Sequence, residues 1–264
     1  MNNVDTGLLL DTIYLEDCLI GMQKIKEKSI DMILCDLPYG TTACAWDSTI
    51  PLDLLWEQYK KIIKPTGAIV LFGSQPFTSL LVSSNLDWFK YSWIWHKNRA
   101  TGHVHAKNKP MKIHEDICIF SGGTTVHASQ SKKRMTYNPQ GLIPLDNPIL
   151  RVRNDKGDDT VLSARKSHHP TEQTNTGYPN SLLYFPIEMN EKRWHPTQKP
   201  LALCEYLIKT YSNKHEIVLD NCIGSGTTAL AAINTDRHYI GFEKDPEIYN
   251  IAINRVKNNG KTSS

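Results

Sequence analysis

The sequence predicts an α/β fold in which a mixed, mostly parallel sheet is covered by helices on both faces. Three observations carry this. Near-continuous apolar runs occur at residues 30–35 and 68–72, with a shorter one at 217–219, as expected of strands buried on both sides of a parallel sheet. Between the first two, Leu52, Leu55, Trp56, Tyr59, Ile62 and Ile63 recur at i, i+3, i+4, i+7, i+10 and i+11, the period of an amphipathic helix. Strand-like and helix-like stretches alternate along the chain instead of grouping, which selects α/β over α+β.

The 264 residues, 40% of them hydrophobic, suffice for one large domain with a sizeable core. No run approaches the ~20 apolar residues of a membrane span, and the N-terminus lacks a basic-then-apolar leader, so a cytoplasmic protein with no membrane partner is expected. The six cysteines (18, 35, 44, 118, 204 and 222) form no C-x-x-C pair and read as reduced, buried thiols. The ten histidines are scattered without H-E-x-x-H spacing, and no metal is expected.

Taken in order, Ile13-Tyr14-Leu15 is a short apolar run, and Glu16-Asp17 precedes a helical pattern through Leu19, Met22 and Ile25. Residues 29–35 form a strand that ends at Asp36, so Asp36 sits where open α/β sheets place their ligands. Residues 39–50 read as a loop, with Gly40, Thr41, Thr42 and Trp46 able to close over a site. The helix that follows is ended by Pro65-Thr66-Gly67, and residues 68–72 form a strand leading to a helix opened by Pro76. Residues 91–95 and 116–120 read as strands flanking a loop, 96–112, that holds Lys97, Arg99, Lys107, Lys109 and Lys112 and no acid.

From 121 to 190 periodicity disappears, and Gly-Gly, Asn-Pro, Lys-Gly and His-Pro turn signals accumulate. A connection that long is functional or a linker. Between 121 and 200 there are eleven Lys/Arg against seven Asp/Glu, in a chain whose net charge is +3. Both this stretch and the 96–112 loop suit a polyanion, because each cation placed on a phosphate releases counterions. Regularity returns after His195-Pro196-Thr197-Gln198-Lys199-Pro200 with a helix bearing Leu201, Cys204, Leu207, Ile208 and Tyr211. A strand to Asp220, a glycine-rich turn into a helix, a strand ending at Glu243 and a last helix capped by Asp245-Pro246 complete the chain.

Gly224-Ser225-Gly226-Thr227-Thr228-Ala229 fits G-x-G-x-x-G/A, a weak pattern alone. Here it follows a strand, opens a helix and is trailed by Glu243, 17 residues after Gly226 and placed to accept from two ribose hydroxyls. A Rossmann-like site for a nucleoside-containing ligand is expected. Only 35 residues follow Ala229, too few to complete a half-sheet. The sheet is therefore expected to be permuted, with the Asp36 strand beside the Asp220 strand and both carboxyl ends facing one cleft. At that cleft, Asp36-Leu37-Pro38-Tyr39 combines a carboxylate, a stiffened turn and an aromatic ring, a set that can grip a flat, amino-bearing ring such as a nucleobase.

In that order these stretches resemble the β-class DNA amino-methyltransferases, which use S-adenosylmethionine. Asp36-Leu37-Pro38-Tyr39 looks like their D-P-P-Y, Asp220 to Thr228 like D-P-F-x-G-S-G-T-T, and His195 to Pro200 matches H-P-T-Q-K-P. Glu16-Asp17-Cys18-Leu19 looks like the acidic turn at the cofactor's adenine, and residues 109–120, with His114-Glu115, are similar to the segment after the basic loop. The resemblance spans the chain except 121–190.

It implies an S-adenosylmethionine-dependent methyltransferase fold with permuted motifs: a catalytic half at 1–120, an irregular target-recognition insert at 121–190, and a cofactor half at 191–264. It assigns catalysis to Asp36, Leu37, Pro38 and Tyr39. The cofactor, leaving as S-adenosylhomocysteine, would be held by Asp17, Cys18, Asp36, His195, Thr197, Gln198, Lys199, Asp220, Asn221, Gly224, Ser225, Gly226, Thr227, Thr228, Glu243 and Lys244. Double-stranded DNA is the implied partner, met by Lys97, Arg99, Lys107, Lys109, Lys132, Lys133, Arg134, Arg151, Arg153, Arg165 and Lys166. Whether a homodimer or a cognate restriction endonuclease also takes part is left open.

The implied reaction is methylation of an exocyclic amine, adenine N6 with cytosine N4 as the alternative, on a base flipped from the duplex. Asp at the first motif position favours adenine. The absence of a Pro-Cys pair sets aside attack on cytosine C5. Two departures stand out: Leu37 replaces a proline whose expected role is its carbonyl, and Asn221-Cys222 replace Pro-Phe beside the cofactor. A relative that binds DNA without catalysis is the remaining alternative.

Overall fold

The computed structural model describes residues 6–40, 49–125, 132–151, 171–187 and 198–259. Two compact units are present, one made of residues 1–138 and 181–264, the other of 139–180.

The larger unit is built on an eight-stranded sheet. Its strands are β1 (Thr12–Leu15), β2 (Ile30–Cys35), β3 (Ile63–Gly73), β4 (Phe89–Thr101), β5 (Lys112–Ser121), β8 (Leu182–Tyr184), β9 (Ile217–Asp220) and β10 (His238–Glu243). The order is β1-β10-β9-β2-β3-β5-β4-β8, antiparallel only where β5 meets β3 and β4. The permutation read from the sequence is present: β2 lies parallel to β9, Met32 opposite Val218 and Ile33 opposite Leu219. That pairing is short, and Asp31 extends it by accepting from the Ile217 N–H at 3.0 Å while binding the Lys64 ammonium at 2.5 Å.

Alternation along the central strands explains why residues 32–35 and 68–72 are apolar throughout. Met32 and Leu34 on β2, with Val70 and Phe72 on β3, face a cluster containing α4 (Leu201–Tyr211) and α5 (Thr227–Asn234). Ile33, Cys35, Ile69 and Leu71 point the other way, toward α1 (Cys18–Met22), α2 (Leu52–Ile62) and α3 (Phe77–Ser83). Each fully buried Ile or Leu contributes about 1.5–3 kcal/mol, so a polar residue is costly on either face. The last helix, α6 (Pro246–Asn259), is capped as expected, Asp245 accepting from the N–H groups of Glu247 (2.8 Å) and Ile248 (3.1 Å).

Three expectations are corrected. Pro65-Thr66-Gly67 lies within β3, in a register shift that pairs Ile30 with Ile63 but Met32 with Ala68; β3 itself carries the extra residues as a bulge opposite β2. The basic loop 96–112 is shorter than expected, β4 running on to Thr101 and β5 starting at Lys112, which leaves 102–111 as the connection. The region 121–190 is not wholly irregular. Leu182–Tyr184 pairs parallel to β4, and the smaller unit is a two-stranded antiparallel ribbon of β6 (Ile143–Arg151) and β7 (Thr171–Thr176). The β7 sequence, Thr-Glu-Gln-Thr-Asn-Thr, has no apolar alternation, so its strand rests on backbone pairing that periodicity cannot reveal. Among the described residues, no helix is long and apolar enough to cross a membrane.

Candidate active site

The carboxyl ends of β1, β2, β9 and β10 open onto a cavity of about 480 Å³, within the range of small-molecule sites. Asp17, Asp36, Tyr39, Glu115, Lys199 and Glu243 are among its lining residues.

The glycine turn forms one wall. Gly226 has φ +81° and caps α5, and a Cβ there would press on Ala252 at 3.4 Å. Gly224, at φ +52°, would place a Cβ with nothing nearer than the Cys222 carbonyl at 4.0 Å, so its backbone is open to an approaching ligand. Glu243 is held in place by two backbone donors, Gly224 N–H to Oε2 and Asp245 N–H to Oε1, both at 3.0 Å. Burial raises its pKa, partly offset by those donors. The Glu16 N–H donates to the Glu243 carbonyl at 3.0 Å, bringing the acidic turn beside it, and Asp17 caps α1 through Leu19 N–H at 2.9 Å.

Asp220 is 4% exposed and accepts from Cys222 N–H at 3.0 Å; burial pushes its carboxyl up to about 7 against hydrogen bonds that favour the charged form. Asn221, where the resemblance expects proline, accepts from the Tyr59 hydroxyl at 2.5 Å, so α2 braces the loop. Gln198 reaches Ser225 at 3.5 Å, and Lys244 is exposed at the rim. Cys18 and Cys222 also line the cavity, and Cys35 is buried, its thiol pushed up to about 12 by burial.

The second wall carries Asp36. Its Oδ1 accepts from the Tyr39 hydroxyl at 2.8 Å, and its Oδ2 is bound by the Lys199 ammonium. Tyr39 is half-buried with its ring stacked on Phe77 at 4.9 Å. The Leu37 side chain is 4% exposed, inside the apolar cluster. Lys199 also lies 3.5 Å from Glu115 Oε2, and Glu115 Oε1 is bound by Lys97. Burial alone would lower the Lys199 pKa, yet Asp36 and Glu115 outweigh it and raise it. Glu115 is likewise held below the usual carboxylate range, burial being overcome by Lys199 and Lys97.

Lys97 therefore differs from expectation. It is 7% exposed, ion-paired and 4.8 Å from the Trp95 ring centroid, because it continues the inward alternation of Trp93 and Trp95. It is not a surface cation for phosphate. Lys199, assigned to the cofactor, lines the cavity with its ammonium on Asp36. Arg99, Lys107, Lys109, Lys132, Lys133 and Arg134 are exposed, and Arg151 ends β6. His195, Thr197, Arg153, Arg165, Lys166 and the proposed closing residues 41, 42 and 46 lie outside the described residues. Sequence reasoning missed Arg255, 5% exposed on α6, which donates to Thr227 Oγ1 at 2.8 Å and to the Ser225 carbonyl at 3.2 Å. Among the described residues no His, Cys, Asp and Glu cluster fits a metal ion.

Comparison with known proteins agrees with this geometry. The type II methyltransferase M.HindIII of Haemophilus influenzae is 26% identical, over 95% of this chain and 97% of that protein. The DNA adenine methyltransferase YhdJ of Escherichia coli K12 is 27% identical, over 93% and 82%. The solved M1.HpyAVI–SAM complex superposes with a TM-score of 0.59 at 25% identity, covering 92% of this chain and 98% of that one. A family model described as DNA methylase, the N6/N4 methyltransferases, matches residues 30–254. With its Asp36 turn and its glycine turn on one cavity, the chain belongs to the N6/N4 DNA methylase family.

Proposed function

We propose that this family member is a site-specific methyltransferase that uses S-adenosylmethionine to modify the N6 amine of adenine in double-stranded DNA. The observation that carries the reading is that Asp36 and Glu243 line one enclosure: one carboxylate suits an exocyclic amine, the other a ribose. Asp at the first motif position and the adenine specificity in YhdJ's name support adenine over cytosine.

When bound, S-adenosylmethionine supplies an electrophilic methyl on a sulfonium. The open backbone at Gly224, the Glu243 carboxylate and Asp17 fit its nucleoside. On the facing wall, the base amine is a poor nucleophile while its lone pair is delocalised into the ring. Asp36 accepts one amine N–H and the Leu37 or Pro38 carbonyl accepts the other, favouring a pyramidal nitrogen with a localised lone pair. The Tyr39 ring lies against the base. Held so, the nitrogen would take the methyl as the bond from that carbon to sulfur breaks, S-adenosylhomocysteine being the leaving group and the surplus amine proton passing to solvent, with no covalent enzyme intermediate. These interactions strengthen as charge develops on nitrogen and so act in the transition state.

Incubating the protein with radiolabelled S-adenosylmethionine and unmethylated genomic DNA, then digesting to nucleosides, tests this. Labelled N6-methyldeoxyadenosine is expected. N4-methyldeoxycytidine would replace adenine by cytosine, and label in RNA but not in duplex DNA would replace the substrate class. No transfer at all would leave a DNA-binding relative without catalysis.

A further inference from the structure

Four charged side chains of alternating sign, Lys97, Glu115, Lys199 and Asp36, run along the wall of the cavity, and all four line it. Only Asp36 has a role in the reading above. An ammonium has three donors. Lys199 commits one to Asp36 Oδ2 and is ion-paired, without a hydrogen bond, to Glu115 Oε2 at 3.5 Å, while its charge lies 5.0 Å from the Phe72 ring centroid. Lys97 holds the far oxygen of Glu115, so Lys199 is fixed from two sides and keeps a further N–H.

We propose that Lys199 is a specificity-determining residue whose ammonium donates to the unprotonated ring nitrogen beside the reacting amine. This rests on the proposed base methylation and extends it. Asp36 and Lys199 present an acceptor directly beside a donor. The complementary base edge is an amine beside a bare ring nitrogen, as at N6/N1 of adenine and N4/N3 of cytosine. At the corresponding edge, O6/N1 of guanine and O4/N3 of thymine offer a carbonyl beside a ring N–H, which sets oxygen against Asp36 and hydrogen against the ammonium. A buried site built to hydrogen-bond a partner penalises an analogue that lacks it, because the protein group is left unpaired. The pair thus admits amino bases and rejects keto bases before any chemistry occurs.

The test uses duplexes carrying the mapped target site with adenine or 1-deazaadenine, in which a C–H replaces N1. Binding is measured with S-adenosylhomocysteine present, and methyl transfer separately, for the wild type, Lys199→Arg and Lys199→Met. The wild type is expected to favour adenine by roughly 10- to 100-fold, Lys199→Arg to keep most of that preference, and Lys199→Met to lose it. Loss of N1 also weakens pairing with thymine and eases base extrusion, so a fall in binding opposes that effect. A wild type that treats the two bases alike overturns the proposal without any variant. So does a preference that survives in Lys199→Met, which would leave Lys199 only orienting Asp36. If the mapped product is N4-methylcytosine, 3-deazacytosine replaces 1-deazaadenine in the same comparison. Absence of any methylated product would instead overturn the proposed function.

Discussion

Ile33 on β2 lies opposite Leu219 on β9, and this pair of strands ends in Asp36 on one side and Asp220 on the other. Residues nearly two hundred positions apart are thereby set on adjacent strand ends. The placement rests on buried apolar strands, not on the site's own charges, so the carboxylates can be changed without dismantling the sheet.

Asp36→Ala is accordingly expected to lower methyl transfer at least about a hundredfold while the affinity for S-adenosylmethionine changes little. Single-turnover assays with labelled cofactor and calorimetric titration of the cofactor read the two separately. Transfer at a rate comparable to wild type would remove Asp36 from the chemistry.

Asp220 gives a pH signature. Its folded-state pKa of about 7 lies above the unfolded value near ~3.9, so folding takes up a proton. The contribution of this group is most favourable below ~4 and is lost as pH rises toward 7. Relative to wild type, Asp220→Asn should gain roughly 2–3 kcal/mol between pH 5 and pH 8, since its amide can still accept from Cys222 N–H. Urea midpoints of both proteins at the two pH values check this; equal pH slopes would contradict it.

The basic residues separate into two groups by burial. Replacing exposed Lys107 and Lys109 together by alanine should flatten the salt dependence of DNA binding, by about two in the log–log slope if both meet phosphate. Lys97→Ala should leave that slope unchanged and instead destabilise the fold by about 1–3 kcal/mol, because Glu115 Oε1 loses its buried partner while Lys199 remains beside Oε2. Binding isotherms from 50 to 300 mM salt, with thermal melts, distinguish the two.

Tyr59→Phe removes the hydroxyl that donates to Asn221 and leaves a buried amide oxygen unpaired. A stability loss of about 1–2 kcal/mol and weaker cofactor binding are expected, with DNA affinity unaltered. Melting temperatures with and without cofactor report both effects.

The expected neighbourhood of the Asp36 and Asp220 strands is found as the β2–β9 pair, legible from the motifs at their carboxyl ends. The fates of Lys97 and Lys199 were not legible. A charge count treats every lysine as solvated, and burial depends on which strand face a residue takes; Lys97 shares its parity with Trp93 and Trp95, but only the true extent of β4 shows that the pattern continues. Leu182–Tyr184 is too short for any periodicity, and its strand depends on pairing with β4. Arg255 sits in an amphipathic helix where arginine ordinarily faces water, and nothing local marks its turn toward Ser225 and Thr227.

Both points where the chain departs for residues 139–180 are fastened within the larger unit. Asn138 bonds to the carbonyls of Thr210, through its N–H at 2.7 Å, and Ser212, through its side chain at 3.1 Å, while the Ser181 carbonyl accepts from Ile94 N–H at 2.8 Å. An excursion pinned at both ends behaves as an exchangeable cassette, because the methylating scaffold keeps its closure contacts whatever is spliced between them. If that segment reads the target, as the resemblance implies, replacing it alone would change the target sequence and leave the Asp36 and Glu243 cavity in place.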